Sequence, residues 1–165
     1  MNPQTAPKIA QALRSTPRAL AQRFEMFYSY TLSSALTVAK AATQASQLTT
    51  QADYDFAVYA LGILIYDQAT SAVILPANST ATVQINDTGA GANWFSNPVG
   101  VSTVFGSAQL PFQMPVIRIV ARTATLSFSF TNLADGTSAT GALYLPVLIG
   151  TKLATSNQGQ LGIAG

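Results

Sequence analysis

Thr125-Leu126-Ser127-Phe128-Ser129-Phe130-Thr131-Asn132 is the stretch that decides the fold. Leu126, Phe128 and Phe130 alternate strictly with Ser and Thr. A period of two belongs to a β-strand with one face buried and the other polar. Working outward, Ala81, Val83 and Ile85 alternate with Thr82, Gln84 and Asn86. Tyr54, Phe56 and Val58 alternate with Asp55 and Ala57 before the solid apolar run at 61–65. Leu143, Leu145, Val147 and Ile149 read as the inner row of a final strand. Turn chemistry separates these rows: Pro76-Ala77-Asn78, Asn86-Asp87-Thr88-Gly89 and Asp135-Gly136. The spacing predicts strands near 31–39, 46–50, 55–66, 71–75, 80–86, 99–105, 116–121, 124–132 and 142–152. Eight or nine short strands with turns between them predict an all-β chain, an antiparallel two-sheet sandwich, with a jelly roll fitting the count. Pro146 lacks a ladder donor, which predicts an edge position or a bulge in the last strand.

Three segments follow: an N-terminal basic arm at 1–26, a sandwich domain at 27–153 and a flexible tail at 154–165 that is rich in Gly, Ser and Gln. In the arm, Ile9, Ala12 and Leu13 share one helical face, and Leu20, Phe24 and Phe27 share another. Thr16-Pro17 reads as an N-cap followed by Pro at the first helical position. Such short helical pieces are unstable alone in water and gain order by docking.

Charge is scarce. Only 8% of the 165 residues are charged, against about a quarter in an average soluble domain. Of the eight bases, four (Lys8, Arg14, Arg18 and Arg23) precede the first acid, Glu25; the rest of the chain is slightly acidic. A monomer needs charge to stay dispersed, so a chain that gives it up is suited to life packed against other protein. The chain holds no histidine and no cysteine. Imidazole general bases, Ser-His and Cys-His nucleophiles and disulfide staples are all excluded, so no enzyme is expected and no catalytic residue is assigned. Lys40 and Lys152 carry no signature of a catalytic lysine and are read as structural. The opening Met1-Asn2-Pro3-Gln4 is not the basic-then-apolar start of a secretion signal. The longest apolar run, 56–66, falls short of the about 20 residues a spanning helix needs.

Weaker motifs read mostly as structure. Asp53 and Asp55 stand two apart on one strand face and could meet a cation, but the oxygen-rich spacing of a calcium loop is missing, so no metal and no cofactor are expected. Gly89-Ala90-Gly91-Ala92-Asn93 lacks the Lys-Ser/Thr of a phosphate cradle and reads as a turn. Asn78-Ser79-Thr80 matches a glycosylation acceptor but reads as a turn into a strand. Phe105 and Phe112 read as aromatics tucked under a crossover, and Trp94 as a candidate interface anchor. In the arm, Lys8, Arg14, Arg18 and Arg23 combine with Ile9, Leu13, Leu20 and Phe24. Four charges spread so thinly suit a protein groove better than nucleic acid or a membrane, neither of which is expected as a partner.

A longer pattern runs through the body. Gln51-Ala52-Asp53-Tyr54-Asp55-Phe56 is followed by Val83-Gln84-Ile85-Asn86-Asp87, then by Asn93-Trp94-Phe95-Ser96-Asn97-Pro98-Val99. Phe105-Gly106-Ser107-Ala108-Gln109-Leu110-Pro111-Phe112, Met114-Pro115, Phe130-Thr131-Asn132-Leu133 and Leu148-Ile149-Gly150-Thr151-Lys152 complete it. Over roughly 47–153 this order resembles small jelly-roll virion proteins of tailed bacteriophages, among them capsid cement or decoration proteins. The resemblance implies a structural virion protein, assembled in the bacterial cytoplasm, that clamps the major capsid protein or another virion protein, itself a dimer or trimer. Two other readings stand beside it: a neck, tail-adaptor or fibre-base protein, and a carbohydrate-binding jelly roll stacking sugars on Trp94, Tyr54 and Tyr59.

Overall fold

The alternation at 125–132 lies at the centre of a sheet. The computed structural model describes the backbone of residues 24–107 and 109–153, and side chains from Tyr28 onward. Along the described chain run β1 (Phe24–Thr31), β2 (Leu36–Val38), β3 (Ala42–Thr49), β4 (Asp55–Asp67) and β5 (Val73–Ile74). After a 3-10 turn (Pro76–Asn78) come β6 (Thr82–Asp87), β7 (Ala92–Asn93), β8 (Val99–Gly100) and the single-turn helix α1 (Val101–Val104). The chain continues with β9 (Phe112–Val120), β10 (Thr125–Asn132) and β11 (Ala142–Leu153).

The strands form two antiparallel sheets packed as a sandwich. In the first, β11 and β4 are central; β1 and β2 share the far side of β11, and β9 and β5 share the far side of β4. In the second, β10 lies between β3 and β6, and β6 carries β7 and β8 on its other side. With β1/β2 and β7/β8 each taken as one interrupted strand, the chain weaves between the sheets in the jelly-roll manner.

Leu126, Phe128 and Phe130 of β10 and Val83 and Ile85 of β6 are fully buried, as their alternation predicts. From the other sheet, Tyr144 of β11 reaches across and stacks on Phe130, ring centroids 5.0 Å apart. At the opposite end Tyr30 meets Phe56 edge to face at 4.8 Å. Lys152 lies 3.9 Å above the Tyr28 ring and donates to the Gln51 side chain.

Several expectations are corrected. The row Leu143, Leu145, Val147 and Ile149 is not the inner one. Ala142, Tyr144, Pro146, Leu148 and Gly150 face the core, and the four apolar residues between them are half-buried on the outside. The segment holding Phe24 and Phe27 is a strand and not a helical face, and the described part of the first sheet includes it from Phe24. Aromatics three and four apart imitate a helical face, but Tyr28-Ser29-Tyr30-Thr31 is aromatic, β-branched and alternating, and its pairing with β11 prevails. The strand expected at 31–39 is split between β1 and β2, and the one at 99–105 shrinks to two residues before α1. The rest of the arm, from Lys8 to Arg23, lies outside the described residues, as does the tail.

Pro146 lies in a central strand, contrary to a simple edge assignment. On one side of β11, β2 pairs with residues 142–144 and β1 with 147–153, leaving Leu145 and Pro146 opposite the break. The Pro146 carbonyl accepts from the Thr31 hydroxyl at 3.0 Å, so the backbone of Pro146 faces that break. The missing donor therefore falls where no ladder partner waits. Pro146 itself pairs in regular register with Ile63; the shift in this ladder falls between Ile149 and Gly150, and its extra residue is Tyr59 of β4.

Candidate functional site

The two outer faces of the sandwich differ in chemistry. The face of β3, β10 and β6 presents Ser, Thr, Gln and Asn, with hydroxyl pairs between Thr43 and Thr131 at 2.8 Å and Thr49 and Thr125 at 3.1 Å. The face of β11 and β4 presents aliphatic and aromatic side chains. Register places Leu143 beside Tyr66 on the outer side of the sheet, and Leu145, opposite Leu64, is partly buried and also packs against the core cluster. Val73 and Ile119 extend this face at its margin and are 61% and 57% exposed. Contiguous exposed apolar surface on a soluble domain marks a contact site.

β9 adds a second feature. Its ladder with β4 steps from Val58–Arg118 to Ala60–Gln113, so Tyr59 faces an arch of four β9 residues, 114–117. Beneath the arch lies an apolar groove of about 320 Å³ lined by Trp94, Phe95, Val104, Phe112, Met114 and Val116, with Arg118 at its rim. The Arg118 guanidinium donates to the Trp94 carbonyl at 3.1 Å, which holds the rim in place. Val116 and Ile117 are 66% and 54% exposed, and among the described residues the outer edge of β9 pairs with no strand. Natural edge strands of this apolar kind are normally covered or charged.

The carboxylates serve the chain's own backbone. Asp135 is buried; its Oδ2 accepts from the hydroxyls of Ser79 and Tyr144, and its Oδ1 from the amide and hydroxyl of Thr80. Burial alone would raise its pKa, but these donors outweigh burial and lower it. The same contact, with burial as the larger cause, pushes the Tyr144 phenol up. Asp67 is held down at about 2 by hydrogen bonds from the Thr137 side chain and from the amides of Thr137, Ala69 and Thr70, against a smaller burial effect. Asp87 caps the turn after β6 through the amides of Gly89 and Ala90, so the glycine-rich stretch is a capped turn. Asp55 accepts from the Arg122 amide and lies 3.9 Å from its guanidinium. Among the described residues no three His, Cys, Asp or Glu side chains cluster as metal ligands, and no helix is long and apolar enough to cross a membrane. With Asp67, Asp87 and Asp135 buried, few acids remain on the surface of the described residues.

A pH dependence follows. Asp67 and Asp135 titrate lower in the folded chain than the ordinary value of 3.8, so both stabilise the fold above that value. Their contribution fades as pH falls from about 5 toward 2. Melting temperatures measured over that range should drop, and Asp67→Asn should flatten the slope.

Of the residues singled out from sequence, Trp94 is only 6% exposed and belongs to the core cluster. Its indole is largely covered by its own chain, and its edge lines the groove. Phe105 is buried under the crossover, as its sequence context suggests. Phe24 is placed by its backbone in β1, while Lys8, Ile9, Leu13, Arg14, Arg18, Leu20 and Arg23 fall outside the described residues. Sequence reasoning missed the apolar sheet face. The signal was present in the two runs that do not alternate, 56–66 and 142–149. Each is apolar on both faces, and the structure sets them side by side. No family model matches the chain, nor does any curated protein or solved structure.

Proposed function

We propose that this chain is a structural protein of a bacteriophage virion, a capsid cement or decoration protein that clamps neighbouring capsid subunits and has no enzymatic activity. The observation that carries this reading is the pair of unlike faces. A domain with an apolar β4–β11 face, a hydroxyl-rich opposite face and three of its six acids buried is suited to burial on one side and water on the other. The phage assignment comes from the sequence resemblance over 47–153. In this reading each copy touches more than one shell subunit, and the basic arm adds a second contact at high effective concentration, so weak contacts multiply. The partners are the major capsid protein or another virion protein, and further copies of this chain.

The neck or tail reading differs in copy number, which a stained gel of purified particles measures. A band comparable in moles with the shell subunit is the expected result. A few copies per particle favours the neck, and absence from the particle removes the virion reading. The carbohydrate reading loses its principal stacking ring, because Trp94 is buried.

A further inference from the structure

The groove under β9 combines an apolar floor with a single cation. Its volume of about 320 Å³ stands at the small end of the range of about 300–1,000 Å³ that ligand sites occupy. Leu61 of β4, Val104 of α1 and Phe112 and Met114 of β9 line it, and among the described residues Arg118 is the one charged side chain of the lining. Among those residues its guanidinium meets no carboxylate. It donates to the Trp94 carbonyl at 3.1 Å, and the ion pair of the sandwich joins Arg122 to Asp55 instead. A guanidinium offers five N–H donors in a planar fork that can hold a carboxylate through two parallel bonds. The bond to Trp94 fixes that fork at the rim before a ligand arrives, so little order is lost on binding.

We propose that this groove binds a small aliphatic carboxylate, its hydrocarbon chain against Val104, Phe112 and Met114 and its carboxylate on the free donors of Arg118. Charge complementarity selects the head group. A cationic head is repelled by Arg118, and a neutral head forgoes the charge-assisted bonds. β9 itself selects a free acid over a segment of protein. A strand added to a sheet edge draws its affinity from main-chain hydrogen bonds. Here the arch at 114–117 interrupts the register, and Pro115 within it has no donor to offer. An extended peptide finds little to pair with along this edge, whereas a hydrocarbon chain loses nothing. Met114 is unbranched and adapts the floor to the shape of the chain it meets. This proposal concerns the domain alone and does not depend on the virion reading.

Decanoate, titrated below its micelle concentration into the full-length protein, is the probe. Trp94 is the reporter, being the one tryptophan of the chain and part of the lining. Its emission should change saturably with decanoate. Decanol should bind more weakly by about tenfold or more, and decyltrimethylammonium should leave the emission unchanged. Arg118→Gln should weaken decanoate by about tenfold or more and bring it level with decanol. Val116→Glu, at an exposed position of the lining, sets a carboxylate near Arg118 and should have the same effect with the melting transition retained. The absence of a saturable response, equal affinity for decanoate and decanol, or decanoate binding unchanged in either variant overturns the proposal. Tighter binding of N-acetyl-leucyl-leucine than of decanoate assigns the groove to a protein C-terminus and overturns it as well.

Discussion

Phe130→Ala will destabilise the isolated protein by about 3–5 kcal/mol, the cost of emptying a large aromatic site in a close-packed core. Phe130 is fully buried on β10 and stacks on Tyr144 from the opposite sheet at 5.0 Å. It also lies 6.3 Å from Phe105, which follows α1. Its removal therefore loosens the contact between the sheets, the arrangement the whole sandwich depends on. The Tyr144 ring cannot follow into the space, because its hydroxyl is committed to Asp135 at 2.8 Å. Chemical denaturation should show the full loss. The neighbouring Ser129→Ala points outward and should change stability by less than about 0.5 kcal/mol. Equal effects at the two positions would show that the alternation in this strand is misassigned.

The second large effect concerns attachment and not folding. Leu143→Lys with Ile119→Lys places two charges on the β4–β11 face, one beside Tyr66 and one at its β9 margin. Neither side chain lies among the fully buried ones, and a lysine stem can lie along the sheet with its ammonium in water, so the melting temperature should move little. If this face meets other protein, burying two unpaired charges there is costly. Binding to particles should then fall by more than tenfold. The control is a matching pair on the hydroxyl face, Ser127→Lys with Thr43→Lys, which should leave binding within about twofold. Equal loss from both pairs would mean that the faces are not functionally distinct.

The strands that alternate polarity were legible in the sequence because their two faces meet different solvents. β10 and β6 separate core from water, and their residues record it one by one. β11 does not alternate. Both of its faces are apolar, so periodicity carries no information about phase, and the row Leu143 to Ile149 was as credible as the row Tyr144 to Gly150. That failure locates the candidate site, since a strand apolar on its outer face is one that expects cover. β1 was illegible for a different reason. Its aromatics satisfy both periods, and only the ladder with β11, more than a hundred residues away, decides between them. Trp94 shows the limit of composition. A tryptophan in a loop rich in Pro and Gly suits an anchor equally well in the core and at a surface, and its place depends on β9 arching over it. The Asp135 network was also hidden, because its donors come from two separate parts of the chain, Ser79-Thr80 more than fifty residues before it and Tyr144 after it.

Hydroxyl-radical footprinting of the protein free and on the particle tests the central claim most directly, because it reads side-chain access on both faces in one experiment. The account predicts that Tyr66, Leu143 and Ile149 become protected on the particle while the outward side chains of β10 and β6 keep their reactivity. Protection confined to the hydroxyl face, or unchanged reactivity at Tyr66, Leu143 and Ile149, would contradict it.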